Sequence, residues 1–386
     1  KNDIATAFLE RCLFFCRPGG KVSIVLPQNW LFLTSYRQFR EHLLKNECLD
    51  LLAWLGPKAF QTPMWDFNVL LLNISHTKPP VGHLLCGLNV SEERDAGVKA
   101  RSLLDAELTC VEQAGQLKNP DARINLDDIN SSGLPQLAEF ADTSQGLKTG
   151  DDSRYRREFW EVAHSIKDWR YYQSTPEDSQ NLYGGMRYRV DWRNPGENMA
   201  RLQGQTAWGK KGIAVGQMSA FFPALYSGEL YDSNVGPIVP HDPSYLPAIW
   251  CFCSSPDYNI AIRKIDQSLK VTNASLVKVP FDLPHWQKVA AEKYPHGLPE
   301  PYSDDPTQWI FHGHPAGSVI WDEETKTLAH GPLRTDGTVL HVAIARLLGY
   351  RWPAELDLEM ELADLQREWV RESENLLRFA DQDGIV

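Results

Sequence analysis

The sequence predicts part of an α/β sheet, followed by an irregular α+β domain and a helical tail. Three observations predict this organisation. In residues 1–75, helical spacing of apolar residues alternates with short apolar runs of strand length. The middle of the chain is rich in Trp, Tyr, Gly and Pro and has only short strand signals, and from Thr338 onward helical spacing returns together with many acidic residues.

The first predicted element is a helix that ends at a proline–glycine turn. Asn2 or Asp3 can cap it. Apolar residues then recur every three to four positions and mark one face, namely Ile4, Phe8, Leu9, Cys12 and Cys16. The segment 17–20, Arg-Pro-Gly-Gly, stops the helix, because proline cannot continue it and glycine accepts a left-handed turn. The run 22–26 then has the length of a buried strand, and a polar-aromatic loop follows its carboxyl end, where ligands of such sheets bind.

The next elements continue the α/β pattern. Spacing after Thr34 and Ser35 predicts a covering helix over residues 35–45. Two apolar runs, 48–55 and 67–74, follow without an intervening helix, which predicts an antiparallel pair at the edge of an otherwise parallel sheet. Short strands are predicted further along, at Gly212 to Val215, Ala224 to Tyr226, Gly236 to Val239 and Leu276 to Pro280.

Composition limits the class of protein. The chain has 386 residues, which suffices for two or three domains, and 42% of them are hydrophobic. No stretch approaches the roughly 18 apolar residues that span a bilayer, so we expect no membrane contact. The seven cysteines lie mostly in apolar runs. They favour reduced, buried thiols of a cytoplasmic protein over a disulfide framework.

The acidic residues are concentrated at one end. The net charge is −11, but residues 291–386 alone carry 8 Lys or Arg against 18 Asp or Glu. Residues 143–215 carry 12 Lys or Arg against 9 Asp or Glu. The central region can therefore present the basic face that phosphate binding requires.

Several phrases resemble one enzyme family. The segment PGGKVSIVLPQNWLFLTSYRQFREHL is similar to the one that follows the catalytic Asn-Pro-Pro-Tyr/Phe motif in adenine-specific DNA methyltransferases of the Eco57I and type IIG kind. The resemblance is closest to the PglX-like methyltransferases of bacteriophage-exclusion (BREX) systems. It continues through AWGKKGIAVGQMSAFFPALYSGELYDSN, IRKIDQSLKVTNASLVKVPFDLPHW and WIFHGHP.

The resemblance implies a fold and an activity. Helix, strand, helix, strand, strand is the closing order of the sheet in S-adenosylmethionine-dependent methyltransferases, an order that other α/β domains share. We therefore expect the C-terminal part of a catalytic domain at 1–75, a connecting region at 76–135, a target-recognition domain at 136–330 and an acidic helical region at 331–386. The implied reaction transfers the methyl group of S-adenosylmethionine to the N6 amine of adenine in duplex DNA. The cofactor loop and the catalytic motif would precede Lys1, so no catalytic residue is assigned, and we expect this chain alone to be inactive and not to bind the cofactor.

Candidate DNA contacts lie in three basic segments. The phrase SQGLKTGDD at 144–152 resembles the opening motif of target-recognition domains, in which Lys148 supplies charge and Thr149 a hydroxyl, while Gly146 and Gly150 let the backbone approach a phosphate. A solvated turn is the alternative. Lys210 and Lys211 stand between glycines after Trp208, where an exposed strand start is equally consistent. The third segment supplies four candidates near the end of a predicted helix: Arg263, Lys264, Gln267 and Lys270. This helix either docks on DNA or serves as scaffold.

Asn29 and Trp30 are candidates for the pocket of a target base rotated out of the duplex, although a tryptophan in this context is also typical of a core. Asp242-Pro243-Ser244-Tyr245 matches the catalytic loop only superficially, because serine replaces the second proline. Two His or Cys pairs, at 312/314 and 251/253, lack zinc-site spacing, so no metal is expected.

The sequence leaves alternatives to the methyltransferase reading. The chain can be a non-catalytic DNA-binding specificity module that acts with a separate catalytic chain, or part of a fused type IIG restriction-modification enzyme. A scaffold that uses its acidic tail to dock partners of a phage-defence system is a further alternative. Double-stranded DNA is the expected partner in the first two.

Overall fold

The computed structural model describes residues 3–61, 67–126, 133–158, 162, 168–176, 182–194, 197–218, 220–266, 268–299 and 319–330, with a few positions between 344 and 381. The chain divides into two compact units. Unit 1 comprises Lys1–Leu134 with Ala261–Ser268, and unit 2 comprises Pro135–Ile260 with Leu269–Val386. Most of the predicted acidic tail lies outside the described residues, as do His312 and His314.

Unit 1 is a mixed sheet with helices. Its elements in chain order are α1 (Ile4–Phe15), β1 (Lys21–Pro27), α2 (Arg37–Asn46), β2 (Cys48–Gly56), β3 (Val69–Ser75), β4 (Leu84–Asn89), α3 (Ala96–Asp105) and β5 (Thr109–Glu112). The early helices and strands confirm the predicted order helix, strand, helix, strand, strand. The core of this unit gathers Leu26, Trp30 and Leu43 with apolar residues of β2 and β3.

The sequence predicted that the antiparallel strand pair lies at the edge of the sheet, and this prediction is wrong. The pair, β2 and β3, lies inside the sheet. The strand order is β1-β3-β2-β4-β5, and β3 is antiparallel to both β1 and β2. Strand β3 is therefore inserted between two strands that are parallel to each other. Leu70, Leu72 and Ile74, which share one face of β3, are at most 1% exposed, and both edges of β3 are paired.

Helix α1 begins at an acidic cap but buries a different face from the predicted one. The Asp3 carboxylate accepts a hydrogen bond from the Thr6 amide at 2.7 Å and another from the Tyr36 hydroxyl. Leu9 and Leu13 pack in the core. Ile4 and Phe8, which the spacing placed on the same face as Leu9, are exposed, so the helix is apolar on more than one side.

The cysteines depart from the prediction of reduced thiols. Cys86 and Cys110 form a disulfide, while the remaining five cysteines carry free thiols. The cause is register: β4 and β5 are antiparallel and place Cys86 directly opposite Cys110. The sequence spacing of 24 residues gave no sign of this pairing.

We expect the disulfide to stabilise unit 1 measurably. Closing a loop of 24 residues removes chain entropy worth about 3 kcal/mol from the unfolded state. Urea unfolding with and without a thiol reductant should show this difference in the free energy of unfolding. A Cys86→Ser/Cys110→Ser variant should be insensitive to the reductant, and equal stability of the oxidised and reduced wild type would contradict the assignment.

Unit 2 is built from small sheets and short helices. Its elements are β6 (Ala141–Thr143), α4 (Asp152–Tyr155), β7 (Arg156–Glu158), β8 (Trp169–Gln173), β9 (Tyr188–Asp191), β10 (Gly212–Gly216), β11 (Pro223–Tyr226), β12 (Leu230–Tyr231), β13 (Val235–Pro240), α5 (Leu246–Cys253), α6 (Pro256–Ile265, whose last five residues belong to unit 1), α7 (Asn273–Val277), α8 (Leu283–Lys293), β14 (Val319–Asp322) and β15 (Thr327–His330). Two four-stranded sheets have the orders β11-β10-β13-β6 and β12-β8-β9-β7.

Three of the four predicted central strands are confirmed, as β10, β11 and β13. The fourth prediction, a strand from Leu276 to Pro280, is wrong because α7 covers its first part. A short apolar run has no period of its own and can belong to either structure. Here Leu276 is fully buried, and the Tyr258 hydroxyl donates to its carbonyl at 3.0 Å.

Candidate functional site

The loop after β1 lies at the carboxyl end of the strand and is fixed by the protein core. Residues 28–31 form a short 3₁₀ helix. Asn29 is exposed, whereas Trp30 is 1% exposed and meets the ring of Phe39 edge-on at 5.7 Å. Trp30 would have to leave the core to stack on a base, whereas Asn29 is already accessible.

Arg40 of α2 holds this loop in place. Its side chain is fully buried, and one terminal nitrogen, Nη1, donates to the carbonyls of Trp30 at 2.6 Å and Leu33 at 2.8 Å. The rest of the guanidinium donates to the carbonyls of Asp121 and Ala122. Burial, and secondarily the charge of Arg123, lowers the pKa of Arg40 to about 10, which leaves it charged at neutral pH. Sequence reasoning missed this residue because its acceptors lie up to 82 positions away.

The SQGLKTG segment is held between two backbone segments of unit 2. On one side the Leu147 amide donates to the Tyr231 carbonyl at 2.9 Å, and the Ser144 and Tyr231 hydroxyls are 2.6 Å apart. On the other side Lys148 and Arg201 exchange both backbone hydrogen bonds at 2.9 Å. Gly146 is required here because the backbone of residues 231–232 lies against it. The glycine thus admits the protein's own chain, where the sequence suggested a phosphate.

The two candidates in this segment are placed differently. Lys148 is exposed, and its backbone pairing brings the exposed Arg201 beside it, so two cations share one surface. Thr149 is 4% exposed, and its hydroxyl donates to the carboxylate of Asp152 within the turn. The Thr149 hydroxyl is therefore engaged within the turn and is not accessible to a phosphate.

Lys210 and Lys211 line a cavity of about 690 Å³ in unit 2. Three hydroxyl residues, Thr143, Ser144 and Thr206, also line it, together with His241. The His241 ring lies 3.2 Å from the exposed carboxylate of Asp142 at the same cavity. A concave site with two exposed ammonium groups and three hydroxyl residues suits an oxyanion such as a phosphate.

The remaining basic candidates are divided between the two units. Arg263 and Lys264 end α6 in unit 1, where Arg263 donates to the Ser268 carbonyl at 2.6 Å and burial lowers its pKa. Lys270 belongs to unit 2 and donates to the Asn234 side chain at 2.6 Å. Gln267 lies outside the described residues.

An arginine–aromatic cluster in the β12-β8-β9-β7 sheet escaped the sequence analysis. Arg156 lies over the ring of Tyr188 at 4.1 Å, and Arg189 lies over Tyr171 at 4.6 Å. The signal was present as the alternating letters RYRV and WRYYQ, but only strand pairing brings these segments together. Such stacked cations serve either protein stability or contact with nucleic acid.

Two weak motifs are accounted for by the fold. Asp242 caps a 3₁₀ helix, and its carboxylate accepts from the Ser244 amide at 2.9 Å, which is a structural use of the Asp-Pro-Ser-Tyr sequence. Cys251 and Cys253 are buried in α5. Within the described ranges, no group of three or more His, Cys, Asp or Glu could hold a metal, and no helix has the length and apolarity of a membrane span.

Comparison with known proteins identifies one family match. Residues 1–60 match the model of the Eco57I restriction-modification methylase family. This segment covers α1, β1, α2 and β2 with the start of the following loop. A search of curated proteins found no match.

Several solved structures are similar to this chain at low identity. A DrdV–DNA complex is 10% identical, with a TM-score of 0.47 over 78% of this chain and 40% of that one. The type IIL restriction-modification enzyme MmeI in complex with DNA is 10% identical, with a TM-score of 0.46 over 76% and 42%. A modification subunit of a putative type I restriction enzyme from Vibrio vulnificus YJ016 is 20% identical, with a TM-score of 0.23 over 27% and 25%. This chain thus spans about two fifths of the first of these proteins.

Proposed function

We propose that this chain is part of a DNA methyltransferase that uses S-adenosylmethionine, and that it mainly supplies recognition of the DNA target. The observation that carries the proposal is the match of residues 1–60 to the Eco57I methylase family, in a segment that folds in the order expected for the end of a methyltransferase sheet. The remaining sequence phrases support the finer proposal of a PglX-like adenine N6 enzyme of a phage-defence system that acts in the cytoplasm.

Unit 2 is the proposed recognition domain for double-stranded DNA. Lys148, Lys210 and Lys211 are exposed cations, and the cavity at the last two suits a phosphate. Contacts to phosphates position a protein on DNA, while contacts to base edges select the sequence. We assign the lysines to positioning and leave the third basic segment, at 263–270, as a further candidate.

In unit 1, Asn29 is the residue proposed to face the target base. It is exposed at the carboxyl end of β1, the end of an α/β sheet at which ligands bind. Its amide can donate and accept hydrogen bonds with a rotated base. The methyl donor would be held by residues outside this chain, so we expect little binding of S-adenosylmethionine by this chain alone.

A second function is a DNA-binding specificity module that works with a separate catalytic chain. The disposition of basic residues in unit 2 fits either reading. Sequencing the methylated bases of cells with and without the intact gene distinguishes the methyltransferase from the specificity module. The cells must contain no other gene whose product methylates the same motif. Loss of N6-methyladenine at one sequence motif is expected on deletion, and absence of any modified adenine motif in the wild type would refute the methyltransferase proposal.

Neutralising the two cavity lysines should weaken DNA binding without changing sequence preference. We expect Lys210→Gln/Lys211→Gln to reduce the dependence of log Kd on log salt by about 2, and affinity by roughly 10-fold per lysine at about 0.1 M salt. Titration of a labelled duplex at several salt concentrations measures both. Lys288→Gln is the control, because Lys288 is exposed on α8 and does not line the cavity. An equal loss in this control would contradict the assignment.

A further inference from the structure

The Cys86–Cys110 disulfide lies at an edge of the sheet of unit 1 and is open to solvent. Strand β5 is the outermost strand in the order β1-β3-β2-β4-β5, and among the described strands it pairs with β4 alone, over four residues. Cys110 is exposed and Cys86 is half-buried. A thiolate from solution can therefore reach the sulfur of Cys110, and such access is typical of disulfides that are reduced and formed again.

The compartment and the spacing of the pair favour a sensing role. The remaining five cysteines carry free thiols, and the proposed methyltransferase acts in the cytoplasm, where glutathione keeps thiols reduced. Disulfides that form in this compartment are usually transient, and they are either catalytic or redox-sensing. Cys86 and Cys110 are 24 residues apart and lack the Cys-X-X-Cys spacing of thiol oxidoreductases, which favours sensing over catalysis.

The residues that flank the disulfide anchor the first part of β2. His83 precedes β4 and Gln113 follows β5, and the Gln113 amide donates to the His83 carbonyl at 2.9 Å. Both side chains bind the backbone of Leu49: the Gln113 side-chain oxygen accepts from its amide at 2.8 Å, and the His83 ring lies 3.1 Å from its carbonyl oxygen. Leu49 is fully buried, so these side chains satisfy backbone groups that water does not reach.

Gln113 also begins the segment that leads to the loop after β1. Its side-chain amide donates to two backbone carbonyls at the carboxyl end of α2, at 2.8 and 2.9 Å. Residues 113–118 form a 3₁₀ helix, and the chain continues to residues 121 and 122, whose carbonyls hold Arg40. Arg40 also binds the loop that carries Asn29. A change in the packing of β5 is therefore passed to this loop through one continuous stretch of chain.

We propose that Cys86–Cys110 is a reversible redox switch of unit 1. The disulfide holds β5 and the segment that follows it in place, and its reduction loosens that segment and the loop after β1. This inference rests on the proposed function, which supplies the cytoplasmic setting.

Reduction consumes two molecules of a small thiol such as glutathione. The first thiolate attacks the Cys110 sulfur, breaks the S–S bond and forms a mixed disulfide, and Cys86 leaves as a thiolate. The second thiolate attacks the glutathione sulfur of the mixed disulfide, so that glutathione disulfide forms and the Cys110 thiolate is released. The two protons given up by the attacking thiols pass to Cys86 and Cys110. Oxidation by glutathione disulfide follows the same steps in reverse.

The first test equilibrates the folded chain with mixtures of reduced and oxidised glutathione and counts free thiols with a maleimide after acid quenching and denaturation. We expect five thiols in the oxidised protein and all seven cysteines as thiols in the reduced one, with a reversible transition between them. A count that stays at five in a large excess of reduced glutathione, or at seven in oxidised glutathione alone, would overturn the proposal. Cys12→Ser/Cys16→Ser is the control and should keep the transition, because both thiols are free.

Hydrogen exchange tests whether the switch reaches β2 and the loop. On reduction the amides of Leu49 and Gln113 should exchange at least about 10-fold faster, because the strand that places their partners is no longer cross-linked. The Leu33 amide, which donates to the Asn29 carbonyl at 3.1 Å, reports on the loop and should also exchange faster. The amides of β1, at the opposite edge of the sheet, should respond by a smaller factor. An equal factor at both places would show that the disulfide only stabilises unit 1 as a whole, and would overturn the switch.

Replacing both cysteines separates the switch from an effect of the buffer. Cys86→Ser/Cys110→Ser should show the faster exchange in reducing and oxidising buffer alike, and a difference between the buffers in this variant would contradict the assignment. A switch that meets these expectations in a protein that transfers no methyl group would refute only the proposed function. Methyl transfer by a protein whose thiol count never changes would refute only the switch.

Discussion

Replacing Gly146 by alanine should destabilise unit 2 by about 3 kcal/mol or more, because the added methyl group overlaps backbone atoms. A Cβ at this position would lie 2.6 Å from the Tyr231 carbonyl oxygen and closer still to that of Asp232. These atoms cannot rotate aside. Asp232 is itself held, since its amide donates to Gln173 at 2.9 Å and its carboxylate accepts from the Tyr172 hydroxyl at 3.0 Å. Relief therefore requires a shift of the backbone.

Urea unfolding followed by tryptophan fluorescence measures the effect of Gly146→Ala on the free energy of unfolding. Gly115→Ala is the matched control, because a Cβ there meets no atom within 4 Å. We expect the control to stay within about 1 kcal/mol of the wild type. DNA affinity should fall with unit 2 stability in Gly146→Ala, because Lys148 and its neighbour Arg201 are positioned by this segment. Similar stability of the two variants would show that the segment adapts at little cost.

The sequence predicted local structure in unit 1 better than it predicted pairing. The run from Val22 to Leu26 and the helix before it are bounded by Pro18 and two glycines, which act on neighbouring residues and so are visible in the sequence. The insertion of β3 between β1 and β2, and the meeting of Cys86 with Cys110, depend on register between distant segments. Residue spacing along the chain carries little information on such register.

The candidate side chains also differ in how well the sequence predicted their exposure. Lys148 and Lys210 are exposed, as their charge requires in the absence of a buried partner. The Thr149 hydroxyl donates a hydrogen bond within the fold, and Trp30 packs into the core. Both side chains are buried. Residue type therefore predicted the exposure of these two lysines but not the burial of Thr149 and Trp30. Whether the exposed lysines touch DNA stays a prediction.

Replacing Arg40 by glutamine should cost unit 1 about 3–5 kcal/mol, since a buried charged donor is removed and its acceptors stay buried. Glutamine has a single NH₂ group as donor and cannot serve both sides of the contact. The carbonyls of Trp30 and Leu33 lie on one side, and those of Asp121 and Ala122 on the other. At least one pair loses its partner, and the loop after β1 is then no longer tied to residues 121–122.

Arg37→Gln provides the comparison in the same helix. Arg37 is exposed and pairs with Glu41 at 2.8 Å, a surface ion pair whose loss should cost less than about 1 kcal/mol. Denaturation of both variants measures the difference in the free energy of unfolding, and a gap below about 1 kcal/mol would contradict the role assigned to Arg40. The functional consequence follows from position. Arg40 holds the loop that carries Asn29, so in the proposed methyltransferase Arg40→Gln should lower methyl transfer more than DNA affinity, whose proposed lysines lie in unit 2.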